Sequence, residues 1–205
     1  MYFTDRTNAA VQLVPLLEKY KGQDTVVLAV PRGGVPIGCI LAKAMGASLD
    51  LLMSKKIGAP GNPEYAIGAV GFEEELIEDK NGISEEYIQQ EIINIREQLR
   101  QRYKKFRGGK APVSLRGKTV IITDDGIATG RTILAALPLI KKQQPQRVII
   151  AVPVCSEQAR DRLQPRVNEL ISCYFPDPFI GVGRFYTNFG QVEDDEVTQL
   201  LRQFN

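Results

Sequence analysis

A chain of 205 residues, 43% hydrophobic and 24% charged, has ordinary globular composition and is long enough to bury a full core. Its 26 basic and 24 acidic residues leave a formal net charge of +2, too balanced for a nucleic-acid or bulk membrane surface, so any anion site must be local. Histidine is absent, which removes histidine-based triads and imidazole-ligated metals. The cysteines, Cys39, Cys155 and Cys173, are odd in number and widely spaced, giving neither a disulfide framework nor a zinc spacing and fitting a reducing compartment. No basic region followed by an apolar core opens the chain and no apolar run approaches membrane-spanning length, so a soluble, cytoplasmic protein is expected.

Thr4 or Asp5 can cap a helix running to about Lys19, with Ala10, Leu13, Val14 and Leu17 on one face and Pro15 as an interruption. Thr25 to Val30 reads as a buried strand entering Pro31-Arg32-Gly33-Gly34, and a helix follows from Ile37 to about Met45. In that turn two glycines expose amides and Arg32 offers a planar fork suited to phosphate oxygens. A tight turn with a solvated arginine accounts for the same residues. Leu49 to Ser54 is a further strand, which would place Lys55 and Lys56 at its carboxyl end, either facing the same sheet edge or as plain surface lysines.

Ala59 to Tyr65 is turn-rich and reads as a loop, before a strand Ala66 to Phe72 and an acidic hairpin around Glu73 to Asp79. Ser84 to Phe106 is the longest helix, with Ile88, Ile92, Ile95, Leu99, Tyr103 and Phe106 in one stripe that packs on the core or on a second subunit. Gly117-Lys118-Thr119 is not a P-loop: Pro112 stands where the first glycine is needed, and the triplet precedes a strand instead of following one.

Val120 to Thr132 carries the densest signal. An apolar strand from Thr119 to Thr123 passes into Asp124-Asp125 and then a small-residue turn, Gly126 to Gly130, that opens a helix. The amides of Ala128, Thr129, Gly130, Arg131 and Thr132 lie at the first turn of that helix, where donors lack intrahelical partners and the dipole favours an anion. Thr129 and Thr132 add hydroxyls, Gly130 allows close approach, and the two acids are acceptors suited to a sugar diol. Phosphate on one side and a diol on the other describe a ribose 5-phosphate; an N-capped helix beside a spare acid pair is the plainer account. The remaining expected elements are a helix to about Gln143, strand Arg147 to Val152, helix Ser156 to about Leu163, strand Glu169 to Tyr174 and a short acidic helix, Asp194 to Arg202. Between the last two, a proline- and glycine-rich stretch from Phe175 carries aromatics that either stack a planar ring or pack in the core.

The run Ile121 to Thr132 resembles the phosphoribosyl pyrophosphate (PRPP) signature of type I phosphoribosyltransferases. The resemblance, which extends from Phe3 through the aromatic stretch but covers the long helix poorly, implies an α/β fold: an open, mostly parallel, Rossmann-like sheet flanked by helices, with a small hood. It implies one domain over residues 1–205: a core of about 20–174, an insertion at about 59–115, and a hood from 175–205 with or without the N-terminus. The implied activity moves 5-phosphoribose from PRPP to a nitrogenous acceptor, releasing pyrophosphate with Mg²⁺ as cofactor. Asp124 and Asp125 would bind the diol and act in catalysis, Ala128 to Thr132 would take the 5-phosphate, and Arg32, Gly33, Gly34 with Lys55 or Lys56 the pyrophosphate. Phe179 falls where a hood aromatic stacks on the acceptor, and Glu64 and Tyr65 sit in the place of the family's mobile loop, a plain surface loop being the alternative. Enzymes for 6-oxopurines carry an acid at the place of Ala128 and a lysine near Val152-Pro153-Val154; both are missing here. No direct protein ligand for the metal, no nucleic-acid partner and no membrane are expected; a homo-oligomer is open, as is a non-catalytic PRPP-binding regulator.

Overall fold

The computed structural model describes residues 2–78 and 82–204, apart from the side chains of Pro63 and Glu64. Asp5 caps α1 (Arg6–Leu13) by accepting the Asn8 amide at 2.8 Å. Pro15 cannot donate to the α-helical ladder, and the chain tightens into a 3₁₀ segment, Val14–Tyr20. Five strands then alternate with helices: β1 (Thr25–Ala29), α2 (Gly34–Met45), β2 (Ser48–Leu51), β6 (Thr119–Thr123), α4 (Arg131–Lys142), β7 (Arg147–Val154), α5 (Glu157–Leu163) and β8 (Glu169–Tyr174). They form one parallel sheet in the order β2-β1-β6-β7-β8. The expected open α/β sheet is therefore present, and all of its strand pairs are parallel.

Period-two alternation divides each central strand between two apolar layers. Val27, Ala29, Ile121, Ile149 and Ala151 face a layer shared with α1, α2, α3 (Glu85–Arg107) and α6 (Asp194–Phe204). Val26, Leu28, Val120, Ile122, Ile150 and Val152 face the layer built with α4 and α5. The α3 stripe from Ile88 to Phe106 is buried in the first layer, which settles it as core packing within the chain.

Between β2 and α3 the chain forms a separate antiparallel sheet, β3-β4-β5 (Lys55–Ala59, Asn62–Val70, Glu75–Ile77). This corrects two expectations. Lys55 and Lys56 open β3 instead of closing a core strand, and the turn-rich stretch is the tip of a hairpin, with Asn62 paired to Ala59 and Gly61 at φ 72°. Proline at positions 60 and 63 reads locally as a breaker, but a two-residue hairpin tip also needs turn formers, and pairing with β3 holds the rest extended. The Glu64 side chain and Asp79 lie outside the described residues. Beyond β8 the chain returns to its own start: the Tyr2 and Phe3 amides donate to Phe185 O at 3.2 and 3.0 Å, and the Thr187 amide to Phe3 O at 2.9 Å. Phe3, Ala9, Val154, Phe185 and Tyr186 make a third apolar cluster there.

Candidate active site

The carboxyl ends of β1 and β6 lie side by side, with Ala29 in register with Thr123, so the loops leaving them are neighbours by construction. The Val30 amide donates to Thr123 O at 2.9 Å, carrying the pairing one residue past the strand. Pro31–Arg32 is a cis peptide, and α2 begins at Gly34, earlier than the periodicity indicates. The two loops then touch. A Cβ on Gly33 would lie 2.1 Å from Asp125 Oδ2, and one on Gly34 would lie 2.7 Å from Thr123 O. Glycine is required at both places because an acid and a backbone occupy the space a side chain would need.

The turn after β6 is pinned from the opposite side. The Ile127 amide donates to Val154 O and the Ser156 amide to Ile127 O, both at 2.9 Å, and Ser156 Oγ donates to Ala128 O. Gly130 adopts φ 71°, and the first helical bond of α4 runs from the Leu134 amide to Gly130 O at 2.8 Å. The amides of Arg131, Thr132 and Ile133 thus precede the ladder, while Ala128, Thr129, Arg131 and Thr132 are exposed. This is the geometry of an anion-accepting helix start.

Asp124 and Asp125 stand between these two loops. The Asp125 amide donates to Asp124 Oδ1 at 2.8 Å. Asp125 Oδ2 receives Arg6 Nε at 3.0 Å and Nη2 at 2.8 Å, and its carbonyl receives the Tyr186 hydroxyl at 2.6 Å. Burial raises the Asp124 carboxyl well above the usual carboxylate range, and repulsion from Asp125 adds to that. Asp125 is also raised by burial, with Arg6 working against the rise. Removing adjacent carboxylates from water favours the neutral form, so a pair kept in this state argues for a task other than stability.

Arg6, Arg32, Gly33, Asp125, Phe189 and Val192 line a cleft of about 390 Å³. Arg32 Nη1 lies 3.3 Å from Glu193 Oε2 and 3.5 Å from Asp194 Oδ1. A second cleft, of about 300 Å³, runs along Ala128, Thr129, Ser156, Gln158, Phe179 and Gly181. Phe179 lines it and packs on Phe185, with ring centroids 5.1 Å apart. Lys55 and Lys56 are both exposed on β3, and Lys55 Nζ donates to Gln98 Oε1 at 2.7 Å on α3. The structure therefore brings together Arg32, Gly33, Gly34, Asp124, Asp125 and the Ala128–Thr132 turn, and engages Lys55 elsewhere.

Sequence reasoning gave no site role to Arg6 or Glu193, read Tyr186 and Phe189 only among the aromatics of the stretch from Phe175, and read Asp194 only as the start of the last helix. Arg6 is 119 positions from Asp125 in sequence and sits in the first turn of an ordinary capped helix, so no local signal marks it.

A five-stranded parallel sheet with paired acids and a small-residue turn at its carboxyl edge defines the type I phosphoribosyltransferase fold. The chain belongs to the phosphoribosyl transferase domain family, whose model matches residues 9–183. It is similar to a Thermus thermophilus protein designated TT1426, with a TM-score of 0.87, 36% identity and coverage of 100% of this chain and 99% of that one. Two Mycobacterium tuberculosis proteins, provisionally named phosphoribosyl transferases, are 34% identical over 204 residues, covering 97% of this chain but 46% of theirs. The chain spans about half the length of these curated relatives. A hypoxanthine phosphoribosyltransferase from Staphylococcus aureus shares the fold at a TM-score of 0.50 and 13% identity, covering 95% of this chain and 92% of that one. Among the described residues no helix is long and apolar enough to cross a membrane.

Proposed function

We propose that the protein transfers the 5-phosphoribosyl group of PRPP to a nitrogenous acceptor, releasing pyrophosphate. The observation that carries this reading is the contact between the two loops: Gly33 lies against the Asp125 carboxylate, so a pyrophosphate on Arg32 and a ribose on the acids fall on one small ligand. The 5-phosphate is assigned to the Ala128–Thr132 turn, the 2- and 3-hydroxyls to Asp124 and Asp125, and the pyrophosphate to Arg32 with the Gly33 and Gly34 amides.

Held at both ends, the anomeric carbon loses its bond to pyrophosphate and gains one to the acceptor nitrogen on the opposite face. The two carboxylates oppose positive charge that develops on the ribose, and Arg32 neutralises the leaving group. Mg²⁺ would arrive on the oxygens of PRPP, beside Asp124 and Asp125. Bound there, Mg²⁺ supplies charge neutralisation of the pyrophosphate. The acceptor is assigned to the Phe179 cleft. With Ala128 and Val152-Pro153-Val154 in place of the acid and lysine that read 6-oxopurines, adenine, pyrimidines and simple amines are the acceptors to test.

The test is pyrophosphate release from PRPP and Mg²⁺ across a panel of nucleobases and amines, with Asp125→Asn as the control. Turnover with one acceptor, collapsing in the variant, supports transfer. Tight PRPP binding without turnover would make the protein a PRPP-binding regulator, and no binding would sink both readings.

A further inference from the structure

Arg6 is tied into the site at four points. Nε and Nη2 both donate to Asp125 Oδ2, Nη1 donates to Gly190 O at 2.8 Å, and the guanidinium carbon lies 4.1 Å from the Phe189 ring centre. Its side chain is 13% exposed, against 14% for Asp125, so the pair is shielded from the screening that makes surface ion pairs weak. Both Arg6 bonds thus fall on one oxygen of the carboxylate, and the other, Oδ1, has no side-chain partner among the described residues. Residues 6 and 189–190 fall outside the stretch matched by the family model, 9–183, so this clamp belongs to segments beyond the shared core.

We propose that Arg6 is a positioning residue of the donor site: gripping Asp125 Oδ2, it fixes the carboxylate against Gly33 and turns Oδ1 toward the ribose diol. The inference rests on the PRPP reading. A carboxyl that rotates or takes up a proton becomes a poor acceptor for two hydroxyls, and the surroundings of Asp125 press it that way. Asp124 repels it from the same loop, Tyr186 holds only its backbone carbonyl, and Arg32, in the adjoining loop, is paired with Glu193 and Asp194. Among the described residues Arg6 is the cation bonded directly to it. Burial raises the Asp125 carboxyl and Arg6 opposes the rise, so loss of Arg6 moves its titration, and with it the acid limb of diol binding, to higher pH.

The experiment measures PRPP affinity by calorimetry between pH 5 and 9 for the wild type, Arg6→Gln and Arg6→Lys, together with a carbon-13 NMR titration of the Asp125 carboxyl. Arg6→Gln should bind PRPP about tenfold more weakly near neutral pH, with its acid limb displaced upward, and Arg6→Lys should restore the limb but only part of the affinity, having charge without the fork. Unchanged or tighter binding by folded Arg6→Gln would overturn the proposal, tighter binding marking Arg6 as a plug. Should Arg6→Gln not fold, Arg6→Lys with unchanged PRPP affinity would overturn it equally. If the wild type ignores PRPP, the donor reading fails first, and the NMR titration still decides the Arg6 claim: an unmoved Asp125 in Arg6→Gln refutes it.

Discussion

On the proposed reading of the site as a PRPP site, Gly33 and Asp124 set function against stability. A methyl at residue 33 would meet Asp125 Oδ2 at 2.1 Å, and that oxygen is itself fixed by Arg6, so it cannot step aside cheaply. Gly33→Ala should lower stability by about 1–3 kcal/mol, the usual cost of overpacking, and abolish PRPP binding; thermal melting and calorimetry check the two halves separately. Gly33 already has φ −59°, so the effect is one of space and not of backbone freedom. Asp124→Asn should act in the opposite direction on stability. The native carboxyl is raised by burial and then by Asp125, so the folded state holds its proton more tightly than the unfolded chain does. Stability from that group is greatest below the ordinary carboxylate range and is lost as pH rises through the folded value. The amide keeps the acceptor for the Asp125 amide without the buried charge. Asp124→Asn should therefore melt higher than the wild type at neutral pH, the gain shrinking on acidification, while PRPP binding is lost. Equal melting points at every pH would contradict this.

At the scale of elements, α3 tests whether a stripe read from sequence is also the stripe that carries energy. Ile92 is 1% exposed and Ile93 is 60% exposed, although they are consecutive and chemically identical. Ile92→Ala should cost about 2–5 kcal/mol in urea unfolding and Ile93→Ala close to nothing. The same regularity explains what was legible. Buried strands such as Thr119–Thr123 and amphipathic helices such as α3 carry their partners' demands in a local period, so their bounds follow within a residue or two. The β3-β4 hairpin carries no such period. Its residues Pro60, Gly61 and Pro63 look like breakers, and only the pairing of Lys55 with Val70, Lys56 with Ala69 and Ile57 with Gly68 makes them a hairpin tip. The site divides in the same way. Arg32-Gly33-Gly34 and Asp124 to Thr132 stand out because each is a strand-to-helix turn with its own local chemistry. Arg6, Phe189 and the Glu193-Asp194 pair are ordinary residues until the fold brings both chain ends to the cleft.

That return of the termini makes the site a property of the whole molecule. Phe3 is 2% exposed, its ring lies 5.2 Å from that of Tyr186, and its backbone bridges to Tyr186 just ahead of α1. Tyr186 holds the Asp125 carbonyl, and Arg6, three residues after Phe3, holds its carboxylate. Loosening Phe3 therefore loosens both grips on Asp125 at once. Phe3→Ala should cost about 3–5 kcal/mol, comparable with Ile92→Ala, and differ from it in kind. Ile92 belongs to the layer under α3, whereas Phe3 belongs to the cluster that joins the two chain ends beside the acids. At a temperature where both variants remain folded, Phe3→Ala should weaken PRPP binding several-fold and Ile92→Ala should leave it near the wild-type value, because the first perturbs the clamp and the second only the global folding equilibrium. Equal losses of affinity in the two would mean that the termini stabilise the fold without shaping the site, and would remove the structural ground for assigning Arg6 a role in donor binding.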